Sequence, residues 1–573
     1  MLSISRLKIA GAITLFFSLE SVLFADVLPG PAIPQQVGQS ITEIQQQNRP
    51  EKQPAPALRT PAEQPSPLGE EAKKITFQLN GIILEGNRIY PTRVLRLLYQ
   101  HQLKKTITVA QLFDIVQSIT NFYRNNGYIL SRAILPPQHV KNGIVRIQII
   151  EGTIGKVTIS GHPRGTRCLI TAYANHIKAS GPLKIQEMEK YLLIANETPG
   201  TEVKAVLSPS KTEQGAADLN LETEMSRVNG YVSYDNYGTQ YIGPQQMTAN
   251  ASVNSMIASG DALQATYVKT PRGAELTYYD VNYNLPIRDY GTRLIFGGTI
   301  TQTHPLFTLT SSDIDGISEN YYVNLQYPMI RSRSEYFTIQ GSFNFLDSDV
   351  TTLGERLYID HVRTIGVAAI YQKADQRRGV NYINAGVYQG LPILGYSYNT
   401  SQTALTSRPG GAAKYTKVTI FVSRLQAVRG PMSFYGAVNS QYGFQPLLAG
   451  EQFAYGGSQI GRGYDPAELL GDRGLSGTLE VRFDFPIEKF YIKTLQPYVF
   501  YDAGVIWNII GNDTTPKRAS GTSTGFGARF TMTKSISGNV MLAQPLTRKV
   551  ATEELIGDGT NTRGYFSIVA NLD

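Results

Sequence analysis

From Arg227 to the end of the chain, apolar and polar residues alternate with a period of two, in runs broken by glycine, proline and asparagine. That period belongs to strands whose two faces meet different surroundings. Sixteen strand-like runs can be marked, the first at 227–239 and the last at 562–572. After even-numbered runs the connections are mostly two to five residues long. After odd-numbered runs several are long: 305–319, 391–412, 447–474, 508–522 and 546–562. Short turns at one end and long loops at the other fit a transmembrane β-barrel better than a soluble two-sheet sandwich. Closure also removes the open edges that a bilayer cannot satisfy.

The faces of individual runs agree. In "TLEVRFDF", Leu479, Val481, Phe483 and Phe485 alternate with Thr478, Glu480, Arg482 and Asp484. In "YVFYDAGVIW", Val499, Tyr501, Ala503, Val505 and Trp507 form one apolar face, opposite Tyr498, Phe500, Asp502, Gly504 and Ile506. Charged faces then belong to the lumen. Sixteen strands enclose a lumen wide enough for water, which raises the question of what seals it.

Upstream the period changes. Residues 75–152 read as a β-α-α-β-β module: a strand over "ITFQLNGIILEGN", a helix over "YPTRVLRLLYQHQL", a second helix, then "YILSRAIL" and "GIVRIQIIEG". Thr108 and Gln111 have the spacing of a capping box. The helix they open predicts a core stripe of Val109, Leu112, Phe113, Val116, Ile119 and Phe122/Tyr123. Residues 153–226 repeat the order, which makes an internal duplication. Neither module shows a catalytic constellation, and small sheets of this kind commonly take peptides by strand addition.

The first 25 residues carry Arg6 and Lys8 ahead of an apolar run, Ile9 to Phe17, too short to span a bilayer; they predict a cleaved export signal. Residues 26–74 are rich in proline and glutamine and read as a linker unable to bury much apolar surface, with a short helix conceivable at Val37–Gln47.

Composition narrows the function. The chain of 573 residues has 34 tyrosines against one tryptophan, 53 glycines and a net charge of +8 with no basic tract, so nucleic acid is not an expected partner. The single cysteine, Cys168, excludes an internal disulfide and reads as a buried spectator. Six histidines are scattered, no metal or cofactor motif is present, and an enzyme is not expected.

One stretch stands apart. "QIGRGYDPAELLGDRG", Gln459–Gly474, holds two arginines and three acids among glycines in the longest connection, on the long-loop side. Folded inward, Arg462 would meet a polar wall. Asp502 is its best-facing partner, with Glu480 and Asp484 competing, and a bidentate pair would fix the loop tip. An exposed surface arginine is the alternative.

These residues resemble the outer-membrane transporters of two-partner secretion (the TpsB or ShlB/FhaC/HecB haemolysin secretion/activation family, within the BamA-like superfamily). The resemblance runs from the linker to the end. Gly127, Tyr128, Ser131, Arg132, Ala133, Pro136 and Gln138 match the family's first POTRA domain, and "ANETPGTEVKAVLSPSKTEQGAADLNLE" is similar to the second. The lid-loop motif falls on Gly461, Arg462, Gly463 and Tyr464, with glycine in place of the usual valine. The barrel-wall motif falls on Phe500, Asp502 and Gly504. The resemblance implies a signal peptide (1–25), a linker with a possible plug helix (26–74), POTRA domains at 75–152 and 153–226, and a 16-stranded barrel at 227–573 with a lid loop at 448–473. It also implies that Arg462 pairs with Asp502 inside the barrel. The implied function is export of a secreted polypeptide, captured by the POTRA pair in the periplasm, with outer-membrane lipid and the barrel assembly machinery as further partners. The alternatives are a BamA-like factor that inserts other barrels and, more remotely, a passive porin or receptor. Two features depart from the pattern: the chain ends on Asp573 rather than an aromatic residue, and Val37–Gln47 matches the family's plug helix weakly.

Overall fold

A computed structural model describes residues 28–48, 70–213, 215–271, 273, 275–398, 405–489, 491–511, 515–533, 535–554 and 557–572. The predicted export signal lies outside these residues.

Helix α1 (Pro34–Asn48) comes first. The first module then runs β1 (Thr76–Leu79), β2 (Gly81–Glu85), α2 (Thr92–Arg96), β3 (Lys105–Thr108), α3 (Val109–Asn125), β4 (Arg132–Ile134) and β5 (Ile144–Ile150). Its sheet has the order β2-β5-β4, with β2 parallel to β5. The expected single first strand breaks at Asn80 into two, because β1 pairs with the unforeseen β3 in a separate ribbon. The expected long helix stops at Arg96. The chain tightens there through i→i+3 bonds (Leu98 N to Leu95 O, Tyr99 N to Arg96 O) and turns back to make β3, so strand pairing overrides helix propensity. The capping box is present: Thr108 Oγ1 accepts from Gln111 N, and Gln111 Oε1 accepts from Thr108 N. Ile115 joins Leu112, Val116, Ile119 and Tyr123 in the core, whereas Phe113 is only half-buried.

The second module repeats the plan: β6 (Ile154–His162), α4 (Arg167–Ala179), α5 (Ile185–Glu197), β7 (Thr201–Pro209) and β8 (Ala217–Met225), in the order β6-β8-β7 with β6 parallel to β8. Leu169 and Ile170 of α4 enter its core. Their neighbour Cys168 points out and is exposed, not buried as the sequence suggested.

The barrel follows: β9 (Val228–Asp235), β10 (Gln246–Asn254), β11 (Ala262–Lys269), β12 (Leu276–Ile287), β13 (Thr292–Thr303), β14 (Ile314–Arg331), β15 (Glu335–Thr352), β16 (Glu355–Ala374), β17 (Gly379–Gly390), β18 (Thr416–Ala427) and β19 (Met432–Gly443). A small hairpin of β20 (Phe453–Tyr455) and β21 (Leu469–Gly471) interrupts the ring. It resumes with β22 (Arg473–Phe483), β23 (Phe485–Lys489), β24 (Ile492–Trp507), β25 (Arg518–Thr531) and β26 (Ile536–Pro545). A short helix, α6 (Ala551–Glu554), precedes β27 (Arg563–Leu572). β22 and β23 pair with the same neighbour, β24, and are two segments of one strand, so the closed antiparallel ring has sixteen. It shuts where Ser567–Leu572 pairs with Asp235–Gly230.

Alternation settles the two faces. Leu479, Val499 and Phe526 point away from the lumen and are 68%, 50% and 59% exposed, whereas Glu480, Phe500 and Asp502 between them are buried inside. The outer surface is therefore the apolar one, as lipid requires. The short-turn end carries the modules. His176 of α4 sits 2.6 Å from Asp289 in the β12–β13 turn. Arg331 and Arg333 at the β14–β15 turn pair with Glu197 and Glu189 of the second module at 3.0 and 2.9 Å.

Candidate functional site

Two pieces of the chain fill the lumen. The first is α1. Ile33 just before it and Val37, Ile41 and Ile44 within it recur at near-helical spacing and are buried. Val37 and Ile41 meet Tyr241, Ile242, Val268, Leu276 and Tyr278, while Ile44 meets Tyr237, Tyr498 and Phe500. Composition alone had made this segment a linker with too little apolar surface to order itself. The four aliphatic residues suffice because the barrel wall supplies the opposite half of the core.

The second piece is the connection 444–472, which turns inward instead of standing above the barrel. Its tip places Arg462 against the wall. The guanidinium donates to Asp502 through Nε (2.9 Å to Oδ2) and Nη2 (2.6 Å to Oδ1), in the bidentate fork that the residue's planarity permits. It also donates through Nη1 to Glu480 and through Nη2 to Thr478 Oγ1 at 2.7 Å. Its Cζ lies 3.6 Å from the centre of the Phe500 ring. The backbone N–H groups of Gly461 and Arg462 add two bonds of 3.0 Å to Asp502 Oδ2. Arg462, Glu480 and Asp502 are all buried. Asp484, a competitor in the sequence reading, lies elsewhere and accepts from Gln496 at 2.5 Å.

The flanking residues explain the local sequence. Gly461 has φ +87°, a left-handed conformation that a side chain would strain. Gly504 faces the Tyr455 ring so closely that a Cβ there would lie 2.2 Å from a ring atom. Gly463 N donates to Ser523 Oγ, and Tyr464 OH donates to Thr522 O at 2.9 Å. Glu480 is shared further, with Arg482 at 2.7 Å and Arg529 at 3.2 Å, so this carboxylate faces three guanidiniums.

Sequence reasoning missed the partners of the three acids in the stretch. Asp465 takes Thr552 Oγ1 and Arg563, both at 2.5 Å, which ties the loop to the start of the last strand. Glu468 accepts from Ala551 N at the head of α6. Asp472 sits fully buried where the loop rejoins the barrel. It binds Arg408 and accepts from Leu447 N (2.7 Å) and Ile509 N (2.8 Å). Arg408 reaches on to Ile510 O at 2.8 Å, so three long loops meet there. Helix α1 lies along this loop: Gln36 and Gln39 donate to Ala449 O (2.7 Å) and Gly450 O (2.9 Å). These partners are remote in sequence, and no local pattern marks them.

The POTRA-motif residues do not converge on one site. Gly127 ends α3, and its carbonyl accepts from Ile185 N of the second module. Tyr128 packs edge-on against Tyr90 and Tyr123. Ser131 Oγ accepts from Gly152 N, and Ala133 is buried. Gln138 exchanges two bonds with the Arg146 backbone, 2.8 and 2.7 Å, and Pro136 O accepts from its amide. Arg132 is exposed.

Comparison with known proteins agrees with this architecture. The family model for "Haemolysin secretion/activation protein ShlB/FhaC/HecB" matches residues 215–528, and that for "POTRA domain, ShlB-type" matches 77–152. The heme/hemopexin transporter protein HuxB of Haemophilus influenzae is 24% identical over 95% of this chain and 96% of its own length. The outer membrane transporter CdiB of Dickeya dadantii is 22% identical over 86% and 88%. Among solved structures, CdiB from Escherichia coli superposes with a TM-score of 0.71 at 16% identity, covering 95% of this chain and 99% of that one. BamA from Haemophilus ducreyi lacking POTRA domains 1–3 gives 0.52 at 12% identity, covering 87% and 100%. The match to the first family model takes in more than half of the residues: the chain belongs to the haemolysin secretion/activation family ShlB/FhaC/HecB, an outer-membrane protein transporter with its POTRA domains in the periplasm.

Proposed function

We propose that this chain carries one partner exoprotein, of adhesin or haemolysin type, from the periplasm to the cell surface through its own barrel. The POTRA pair takes the unfolded cargo by strand addition, α1 vacates the lumen, and the 444–472 loop acts as a lid whose seated position Arg462 and Asp502 define. No covalent step is involved. Folding of the cargo outside makes return unfavourable. The barrel assembly machinery inserts the transporter itself.

The observation that carries this reading is the filling of the lumen. Both the helix and the loop belong to the chain itself, and both are held by noncovalent contacts that can be exchanged for others. The alternative of a factor that inserts other barrels has the BamA likeness behind it, which at 12% identity speaks to fold alone.

The test is a deletion strain. Loss of one large polypeptide from the medium, with the other outer-membrane barrels at normal levels, is the expected result. A general fall in outer-membrane barrels with unchanged medium would transfer the protein to the insertion class.

A further inference from the structure

The two POTRA modules differ sharply in charge. Residues 75–152 hold nine Lys and Arg against three Asp and Glu, whereas residues 153–226 hold eight of each. The three acids of the first module offer little neutralisation. Glu85 is paired with Arg146 at 3.1 Å. Glu151 is turned to its own module, accepting from Arg88 N, Ile89 N and Tyr123 OH. Only Asp114 is left, on α3.

Most of the excess lies in one continuous segment. From Gly86 to Phe113 the sequence has no acid at all, and Arg88, Arg93, Arg96, Lys104 and Lys105 are all exposed. None of the five forms an ion pair among the described residues. Leu95 and Tyr99 anchor the α2 turn in the core. Their burial turns Arg93, Arg96 and Leu97 outward, and Leu97 is 63% exposed. This segment therefore exposes five cations and one large apolar side chain, Leu97. The second module is tied to the barrel turns, whereas these residues of the first module are exposed to solvent.

We propose that the Arg88–Lys105 face of the first module is a docking surface for an acidic segment of the cargo with apolar residues interleaved among its carboxylates. This rests on the secretion reading and names the chemistry that reading leaves open. Unpaired cations attract such a segment over a distance and speed encounter, while Leu97 gives an apolar residue somewhere to lodge. Exposed charge pairs are individually weak, so the cargo remains free to leave for the lumen.

The test uses the full-length protein in zwitterionic detergent and a fluorescent 16-residue peptide alternating glutamate and valine, with a lysine–valine peptide as control. Expected are saturable binding of the acidic peptide, at least a tenfold loss between low and high salt, no comparable binding of the basic one, and about a tenfold loss in R93E/R96E and in K104E/K105E. All four positions are exposed, and an unchanged heat-modifiable gel shift will confirm an intact barrel. Equal binding of both peptides, or unchanged affinity in both double variants, overturns the proposal. So does a result in which the substitutions abolish binding to phosphatidylglycerol vesicles but spare the peptide, which would assign the face to lipid headgroups. The deletion-strain secretome reads the secretion function separately. If it fails, that reading fails whatever the peptides do; if it succeeds and the peptides fail, only the docking face is lost.

Discussion

Arg462→Ala tests the lid directly. The substitution removes the fork on Asp502 and the single bonds to Glu480 and Thr478. Asp502 is fully buried and, among the described residues, keeps only two backbone donors, Gly461 N and Arg462 N, both on the lid itself. Taking one partner from a buried ion pair costs about 3–5 kcal/mol. The loop can escape that cost by lifting off the wall, so the seated state loses roughly two to three and a half orders of magnitude against the lifted one. Glu480 retains Arg482 and Arg529, so its coupling to Arg462 is smaller than that of Asp502. The assay is a double-mutant cycle on urea unfolding of the barrel in lipid, with Arg462→Ala, Asp502→Ala and the pair, run beside export to the medium. The expected coupling is at least about 1.5 kcal/mol, well outside the few tenths typical of independent sites. Both single variants reduce export, and exchanging the two residues restores part of it. Additive unfolding energies, or normal export by both single variants, would refute the reasoning.

Asp472→Asn leaves Arg408 buried beside a neutral amide; loosening of the loop base is expected as faster proteolysis between residues 444 and 472, and a second substitution, Arg408→Met, should recover part of the resistance. Gly504→Ala drives a methyl into Tyr455, so export and lid protection should both fall, and Tyr455→Ala in the same chain should relieve the clash. Val37→Asp with Ile41→Asp puts two carboxylates into the apolar contact with Tyr241 and Tyr278; channel conductance in planar bilayers and cell entry of a bulky antibiotic should both rise, the barrel itself remaining folded.

What the sequence made legible follows from how local each cause is. The barrel strands could be read because lipid and lumen impose opposite demands on successive residues, so Leu479 and Glu480 announce their faces without any partner being known. Arg462 stands out because glycines isolate it in a long loop, but the residues alone leave a lumen contact and an exposed arginine equally open, and its pairing with Asp502 is implied by the family resemblance. The shortened α2 could not be read, since what stops it is the pairing of β3 with β1, a nonlocal event. The segment of helix α1 reads from composition as a linker for a related reason: Ile33, Val37, Ile41 and Ile44 are too few to form a core alone and enough to complete one that already exists. Arg408 and Arg563 lie 64 and 98 residues from the acids they hold, and nothing nearby in the chain marks them.

The chemistry of these ties suits a seal that must also release. A loop held by a large apolar core would expose that core to lumen water whenever it moved, at about 25 cal/mol for every Å² uncovered. The tip of this lid is held largely by charged and polar groups that can take water once the loop lifts, beside one small apolar cluster in which Tyr455, Tyr464 and Leu469 meet Ile506, Ala519 and Val550. In the seated state the low-dielectric setting and the dense bonding around Arg462 make the same groups selective: a tip displaced within the lumen would leave Asp502 buried and unpaired, so one placement is favoured. The three guanidiniums around Glu480 add to this, because Arg482 and Arg529 are on the wall and keep the carboxylate paired and oriented when Arg462 lifts away. In the proposed opening the Glu480 half of the receiving site is thus preserved, whereas Asp502, whose four donors among the described residues all belong to Gly461 and Arg462, is paired again only when the loop reseats.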